Sequence, residues 1–542
     1  MAVGSEPAGG GTPETSRHAD AAAAWRLGAI VSLGGFVFGY DAVVISGVSG
    51  TVTTLFGLSN WQVGWVVSAP TLSAMFASLV AGYLSDRLGR RTMLRVVSVL
   101  YVISSLLSAF SDSFESLVFA RAVGGLAFSS LVLAPIYLAE ISPSAMRGRI
   151  VSMNQLAIVL GLSAAYLSNF ALQSLGQSGA HWVSAIGLDV HTWRWMLGAE
   201  LLPATAWLLA LFMLTPESPR WLMLKGRDDA ARKVLLSLHS AERTEAIMAR
   251  VRSQLLESGS SSQQGLRLLL ERPVLTALGF GLIVGVAQQI TGVNAIYFYA
   301  PIVFEQSGVG ADAALFQAAL IGLTNVVFTL VAISLIDRIG RKPLLLAGLA
   351  GVALSTALVA YAFSSATYAV TPEAVAASGG AIGALGLEAL YGQTFSSDVG
   401  YKSALVAQLG EAAYRDHQAE LLRLGISMNA TLILTGILLF VASFAASLGP
   451  VTWVFLSEIF PNAVRGAAAA IVAFVNGLVS FLVQLIFPAE LAQLGAATTF
   501  ALYAGVAAFF FIVIALVLPE TRGRPLEATG FGPARGRALR NT

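Results

Sequence analysis

Apolar runs of roughly 20 residues, the length that crosses a bilayer as a helix, recur along the whole chain, and short polar stretches between them carry most of the charge. In the first half they fall near 25–48, 61–84, 92–110, 115–139, 151–172 and 193–214, and in the second near 273–304, 313–336, 343–363, 427–456, 463–488 and 497–518. The pattern predicts an all-α membrane protein with twelve spans. The charged turns repeat as well. Asp86-Arg87-Leu88-Gly89-Arg90-Arg91 follows the second run and Asp337-Arg338-Ile339-Gly340-Arg341-Lys342 the eighth. A second pair, Ala139-Glu140-Ile141-Ser142-Pro143 with Arg147-Gly148 and Ser457-Glu458-Ile459-Phe460-Pro461 with Arg465-Gly466, recurs in the same order. Matching turns in matching order mean a duplication, two related six-helix bundles, an architecture common among secondary transporters.

Composition agrees, since 56% hydrophobic and 11% charged residues is too apolar for a soluble chain of 542 residues. Lys and Arg accumulate in cytoplasmic loops, so placing the paired motifs inside puts both termini inside too. Arg194, Lys402, Arg415 and Arg423 then lie outside, and Arg121 lies in the membrane. The first run lacks a small-residue cleavage site and reads as a retained span. The net charge of +2 argues against nucleic acid as a partner. With zero cysteines there are no disulfides or thiol chemistry.

The expected layout is a flexible cytoplasmic tail (1–24), a first bundle (25–222), a cytoplasmic helical linker (223–270), a second bundle (271–518) and a cytoplasmic tail (519–542), basic from Gly530. The interval between the paired motifs is more than twice as long in the second half, the excess being an extracellular or periplasmic insertion at about 364–426. A structureless loop of that length is unusual. The insertion is expected to be partly ordered, with a helix in the Ala/Leu-rich piece 403–423, and reads either as tolerated or as functional. In the linker, Ala231, Val234, Leu235 and Leu238 form one apolar face able to pack beneath the bundle. Gly259-Ser260-Ser261-Ser262 marks a break between helices.

Three charges, Asp41, Arg121 and Glu200, lie well inside predicted spans, away from their ends. Asp41 sits well inside the first, where an unpaired carboxylate costs several kcal/mol by most estimates (~3 or more). Arg121 on the fourth span is its natural partner, since a guanidinium holds its charge and a carboxylate alike. Glu200 on the sixth is the third. Two acids sharing one arginine allow one of them to take a proton when the arginine is drawn away, which would be a proton relay. The same three residues also read as a structural ion pair that orients helices.

The seventh run carries Gln288-Gln289-Ile290-Thr291-Gly292-Val293-Asn294. Amides are costly in lipid and belong on a wet cavity. On an ideal helix Gln289 and Asn294 lie about 140° apart, so a kink at Gly292 is needed to bring them together. Neutral amides suit hydroxyls rather than ions. Further cavity candidates are Gln155, Asn325, Trp453 and Asn476; amides with an aromatic platform point to a sugar. Gly449-Pro450 is a second expected break. Taken singly, each of these polar residues also reads as an interhelical hydrogen-bond partner.

With Pro216-Glu217-Ser218-Pro219-Arg220-Trp221-Leu222 after the sixth span and Pro519-Glu520-Thr521-Arg522-Gly523 after the twelfth, the chain resembles the sugar porter family of the major facilitator superfamily over nearly its whole length. The resemblance implies the major facilitator fold, two pseudo-symmetric six-helix bundles that open alternately to each side around a central monosaccharide. Matched positions make Gln155, Gln288, Gln289, Asn294, Asn325, Trp453 and Asn476 the substrate-binding set. Arg90, Arg91, Glu140, Arg147, Glu217, Arg341, Glu458 and Arg465 form a cytoplasmic salt-bridge network that shuts the inner side in the outward-open state. Family facilitators have Asn where this chain has Asp41, whereas proton symporters have Asp; Glu200 points the same way. Two departures bear on substrate. Gly477 stands where glucose and xylose carriers often have Trp, a small residue there being similar to fructose carriers, and Phe298 replaces a common Tyr, as in plant hexose symporters. The long loop between the ninth and tenth spans is similar to that of a proton-coupled inositol carrier.

The expectation is a proton-coupled monosaccharide symporter, glucose being the first choice of sugar, in the plasma membrane. Sugar, protons and the lipid bilayer are its partners, the proton gradient is its only energy source with no cofactor or metal, and it works as a monomer. A facilitative uniporter, a symporter for fructose, xylose or inositol, and a sugar sensor are the alternatives, the short tails arguing against the sensor; a multidrug antiporter would have a more apolar cavity. No enzyme is indicated: there is no P-loop, and histidines such as His18 and His181 lie outside the spans.

Overall fold

The computed structural model describes residues 13–142, 146–258, 268–378, 380–383, 385–461 and 464–521. The first half supplies six spans: Pro13–Val44, Asn60–Leu88, Arg90–Ala109, Phe114–Ile141, Arg147–Gly176 and Thr192–Leu214. The second supplies Arg272–Glu305, Ala311–Ile339, Arg341–Ser364 and Ala430–Ile459, then one continuous run, Arg465–Val517. That run is two spans: Gly495 is non-helical (φ 79°, ψ 162°) and separates 465–494 from 496–517. Twelve spans in two six-helix halves result.

The first helix begins at Pro13, so the part of the expected tail from 13 to 24 is helical. Pro is favoured in the first helical turn, where its missing N–H is not needed, and the alanines at 21–24 propagate the helix. Ser59 opens the second span with a capping box to Gln62. The duplicated motif turns on its glycine, Gly89 at φ 105° and Gly340 at φ 106°, a region that side chains avoid; each ends one span and starts the next with no intervening loop.

Prolines decide where several spans open. A proline at i leaves the carbonyl at i−4 without its helical donor. Pro301 frees the Tyr297 carbonyl, which accepts from Tyr166 Oη in the other half, and Pro488 frees that of Gln484, which accepts from Tyr299 Oη (2.8 Å). The tenth span breaks at Ser447 (φ −139°, ψ −90°), just ahead of the expected Gly449-Pro450. Pro450 lies in the first turn of the following segment, Leu448–Ile459, so the disruption falls before it.

Four hydrogen bonds that cross between the halves among the described residues lie at mid-span or toward the end that carries the insertion. They are Thr71–Gln484, Ser163–Gly322, Tyr166–Tyr297 and Gln177–Asp312. One apolar core runs through both halves and includes the outer ends of the first bundle. The linker end of the first bundle has its own core, around Leu94, Tyr137 and Trp207. The halves are thus joined at the end that carries the insertion and separate at the end that carries the linker.

Outside the membrane, the insertion forms a small unit with a core of its own. Strands β1 (Thr367–Ala369), β2 (Thr394–Phe395) and β3 (Ile426–Ser427) form an antiparallel sheet in the order β2-β1-β3. Tyr368 pairs with Phe395 and Thr367 with Ser427. The piece expected as one helix at 403–423 is three, Asp398–Leu409, Glu411–Asp416 and Gln418–Gly425, divided at Gly410 and His417. Tyr401 stacks on Tyr368 at 5.5 Å and donates to the Leu421 carbonyl (2.9 Å); burial pushes its hydroxyl up to about 12. Asp398 and Val399 seat the unit against the Gly495 corner.

At the opposite end, the stretch between the halves holds helices Pro219–Leu224, Asp228–Leu238 and Ala241–Ser258, with Leu222, Met223, Ala231, Leu235 and Met248 packed together. Trp221 Nε1 donates to the Asp86 carbonyl (2.9 Å), fastening this layer to the second span. The expected break at Gly259-Ser262 and the basic tail from Gly530 lie outside the described residues.

Candidate functional site

Asp41 is fully buried, and its Oδ1 pairs with Arg121 Nη1. Arg121 Nη2 also donates to the Asp41 carbonyl (3.0 Å). The second carboxylate oxygen, Oδ2, accepts no hydrogen bond and faces Gly124 and Ser104. Glu200 sits where the sixth span breaks between Thr192–Gly198 and Leu201–Leu214. Pro203 explains the break, since it cannot donate to the Ala199 carbonyl. Glu200 is buried, its Oε1 accepts no hydrogen bond, and it interacts electrostatically with both Asp41 and Arg121. The three charges expected inside the membrane therefore form one cluster, in which one cation faces two acids. A buried carboxylate oxygen without a donor is costly and is a place for a proton to sit.

In the second half, Gly292 adopts φ 89° and divides the seventh span into Arg272–Ile290 and Val293–Glu305. The break swings Asn294 toward Gln289, and Asn294 Nδ2 donates to Gln289 Oε1 at 2.8 Å. Gln289 Nε2 donates to Asn476 Oδ1 (3.1 Å), and Asn476 Nδ2 donates to Gln288 Oε1 (2.9 Å) and the Gly285 carbonyl (2.7 Å). Gln288 Nε2 reaches the Leu448 and Gly449 carbonyls at 3.0 and 3.2 Å, beside the break of the tenth span. Four of the candidate amides thus meet in one network between two broken helices. Glutamine and asparagine offer both donors and acceptors at neutral charge, which matches a polyhydroxylated ligand.

The other candidates sit apart from this network. Trp453 is 47% exposed and shares its helix face with Gly449 and Ser457. Gln155 is exposed, about 140° round its helix from the outward-facing Leu160. Asn325 is buried and makes no hydrogen bond to the amide cluster among the described residues. Gly477 has Met75 of the second span against it, so a sulfur side chain occupies space next to the cluster. Sequence reasoning did not single out Thr71, Ser480 and Gln484, which extend the amide network. A lone Ser or Gln in an apolar run carries little signal until its neighbours are known.

At the linker end of the bundles the repeated motifs make two matching clusters. In the first half, Arg90 Nε and Nη2 donate to both oxygens of Glu140 (3.2 Å each), and Ser218 Oγ donates to Glu140 Oε2 (2.5 Å). Glu217 accepts from the Arg91 backbone N–H (3.0 Å), a carboxylate at a helix N-terminus where the dipole favours it. In the second half, Arg341 Nη2 donates to Glu458 (2.6 Å) and Thr521 to its other oxygen (2.8 Å). Glu520 accepts from the backbone N–H groups of Arg341 and Lys342 (3.1 Å each). Glu520 is the counterpart of Glu217, and the mirrored Pro216-Glu217-Ser218 and Pro519-Glu520-Thr521 could have revealed it. Arg465 Nε donates to the Phe460 carbonyl (3.2 Å); the side chain of Arg147 lies outside what is described. The Arg90–Asp86, Arg90–Glu140 and Arg341–Glu458 ion pairs each join partners of one half.

Two six-helix halves, broken helices around a polar centre and buried charge define a secondary membrane carrier. The family model for the sugar (and other) transporter matches residues 27–400 and 403–530. The chain is 31% identical to the arabinose-proton symporter of Bacillus subtilis over 500 residues, covering 91% of this chain and 92% of that protein. It is 30% identical to the glucose transporter GlcP of Staphylococcus epidermidis over 497 residues, covering 92% and 94%. Among solved structures, the xylose transporter XylE from E. coli in a partially occluded inward-open conformation superposes with a TM-score of 0.70 at 27% identity, covering 93% of this chain and 100% of that one. The chain belongs to the sugar porter family of the major facilitator superfamily, and it is an integral membrane transporter rather than an enzyme.

Proposed function

We propose that the chain carries a monosaccharide, a hexose with glucose the first choice, inward together with a proton, by alternating access in the plasma membrane and with both termini inside. The observation that carries this reading is a buried Asp41–Arg121 pair with Glu200 at its side, in the same molecule as a neutral amide network set between two helix breaks. Asp41 and Glu200 hold and release the proton, and Arg121 keeps whichever acid is ionised in place. Gln288, Gln289, Asn294 and Asn476 bind sugar hydroxyls, with Trp453 as the aromatic platform and Gln155 and Asn325 completing the cavity. The matched clusters of Arg90, Arg91, Glu140, Arg147 and Glu217, and of Arg341, Glu458 and Arg465, hold the inner side shut when the carrier faces out. The proton gradient is the energy source and one chain is the working unit. Relatives whose names specify arabinose-proton and xylose-proton symport support coupling without choosing the sugar.

The specific feature favouring a second sugar is Gly477, which with Met75 leaves a centre unlike one closed by Trp. Fructose is that alternative. Uptake of labelled glucose, fructose, xylose and inositol into proteoliposomes, with and without an imposed inward pH gradient, tests both parts. Accumulation of one sugar above its external concentration only with the gradient is expected; transport indifferent to the gradient would leave a uniporter.

A further inference from the structure

Gln484 of the eleventh span is almost fully buried; its side-chain oxygen and its carbonyl are engaged from two other spans, and its amide nitrogen meets Ser480 one turn back on its own span. Thr71 Oγ1 of the second span, in the other half, donates to Gln484 Oε1 (2.9 Å). Gln484 Nε2 donates to Ser480 Oγ (2.8 Å), which also accepts from Asn294 Nδ2 (2.6 Å). The Gln484 carbonyl, freed by Pro488, accepts from Tyr299 in the segment beyond the Gly292 break. Hydrogen bonds therefore run unbroken from the first half, through Gln484, into the amide cluster.

The hydrogen count in that cluster gives the chain a consequence. Asn294 Nδ2 has two hydrogens, and one is given to Gln289 and the other to Ser480. Asn476 and Gln288 likewise spend both amide hydrogens within the protein. A ligand oxygen that takes a hydrogen from Asn294 must displace Gln289 or Ser480. Displacing Ser480 takes one of the two donors from its hydroxyl and frees that hydroxyl to turn, and with it the amide of Gln484 that donates to it and that Thr71 holds.

We propose that Gln484 is a positioning residue that ties occupancy of the amide cluster to closure of the outer seam between the halves, with the Thr71–Gln484 bond as the fastening across that seam. The proposal rests on the sugar-binding reading above. Its geometry predicts that an empty cluster favours the closed outer seam, and that sugar loosens it.

The chain has no cysteine, so Val63→Cys on the second span, buried near the outer end, gives a single reporter for a membrane-impermeant maleimide. In that background, Gln484→Met and Thr71→Val each remove the fastening at similar volume, and Thr71→Ser keeps the hydroxyl. Without sugar, labelling should rise about fivefold in Gln484→Met and Thr71→Val, the population shift expected for one lost hydrogen bond, and should stay at the parental level in Thr71→Ser. Saturating glucose should raise labelling in the parent but leave Gln484→Met unchanged, while equilibrium dialysis with labelled glucose shows binding retained in both. Parental labelling in Gln484→Met and Thr71→Val, or an intact glucose response in Gln484→Met, overturns the proposal. Loss of the Thr71→Ser rescue also overturns it, since the effect would then be packing. Failure of the parent to bind glucose counts against the sugar reading, and the sugar-free labelling still decides the fastening.

Discussion

The two halves share one plan and differ in the chemistry of their centres. The first holds buried charge, Asp41 and Arg121 with Glu200 alongside; the second holds neutral amides, Gln288, Gln289, Asn294 and Asn476. At the repeated turns they keep matching contacts, Arg90 with Glu140 and Glu217 answering to Arg341 with Glu458 and Glu520. Duplication has kept the turns and let the centres diverge. On the proposed function this divergence is a division of labour. A buried ion pair responds to protons because neutralising one partner unbalances the other by several kcal/mol (about 3–5), whereas an amide network exchanges one hydrogen bond for another at little net cost, roughly 1 kcal/mol each.

The largest effect should follow removal of the charge. In Asp41→Asn, proton-driven accumulation in vesicles should fall to the equilibrium ratio while sugar exchange stays measurable, because the amide network is untouched. Accumulation at the parental level would end the division between the halves. Next comes the second centre. Gln288→Ala removes the acceptor of one Asn476 amide hydrogen and the side-chain donor to the Leu448 and Gly449 carbonyls, a loss of about 1–3 kcal/mol. Sugar affinity should fall by roughly ten- to a hundredfold, with the proton dependence of transport unchanged. A shifted proton dependence in Gln288→Ala would show that the two centres act as one.

The shared turns give a smaller contrast. The Arg90 and Glu140 side chains are 8% and 9% exposed, against 12% and 30% for Arg341 and Glu458. A more buried pair loses more when broken. Glu140→Gln should therefore lower the melting temperature of detergent-solubilised protein further than Glu458→Gln; the reverse order would mean that the clusters are not equivalent parts.

Much of this organisation is readable in one dimension. Span lengths, the repeated Asp-Arg-x-Gly-Arg turn and charges inside apolar runs all leave local marks. The Gly292 break follows from an argument of angles, since two amides 140° apart on an intact helix cannot share a face. Other features have no local mark. Pro301 and Pro488 are visible, but which hydroxyl fills each freed carbonyl depends on Tyr166 and Tyr299 arriving from elsewhere. Thr71 and Gln484 lie in different halves, and only the folded chain brings them to 2.9 Å. The break at Ser447 rather than at Gly449 reflects Pro450 fitting the first turn of the next helix, a choice that neighbouring segments settle.

The smallest expected effect lies in the inserted unit, where the halves differ in material rather than chemistry. Tyr401→Phe keeps the ring stacked on Tyr368 and removes the bond to the Leu421 carbonyl, a cost of about 1 kcal/mol. Because burial raises the Tyr401 hydroxyl from 10.0 to about 12, the folded state favours the protonated form. Its contribution is complete below pH 10 and is lost as pH rises through 12. The melting difference between parent and Tyr401→Phe should accordingly hold steady to pH 10 and shrink above it. Sugar uptake at neutral pH should stay within about twofold, since one lost hydrogen bond lies in a core separate from those of the two halves. A large fall in uptake would mean that the unit seated at Gly495 takes part in opening the outer side, and that the extra length of the second half is working material.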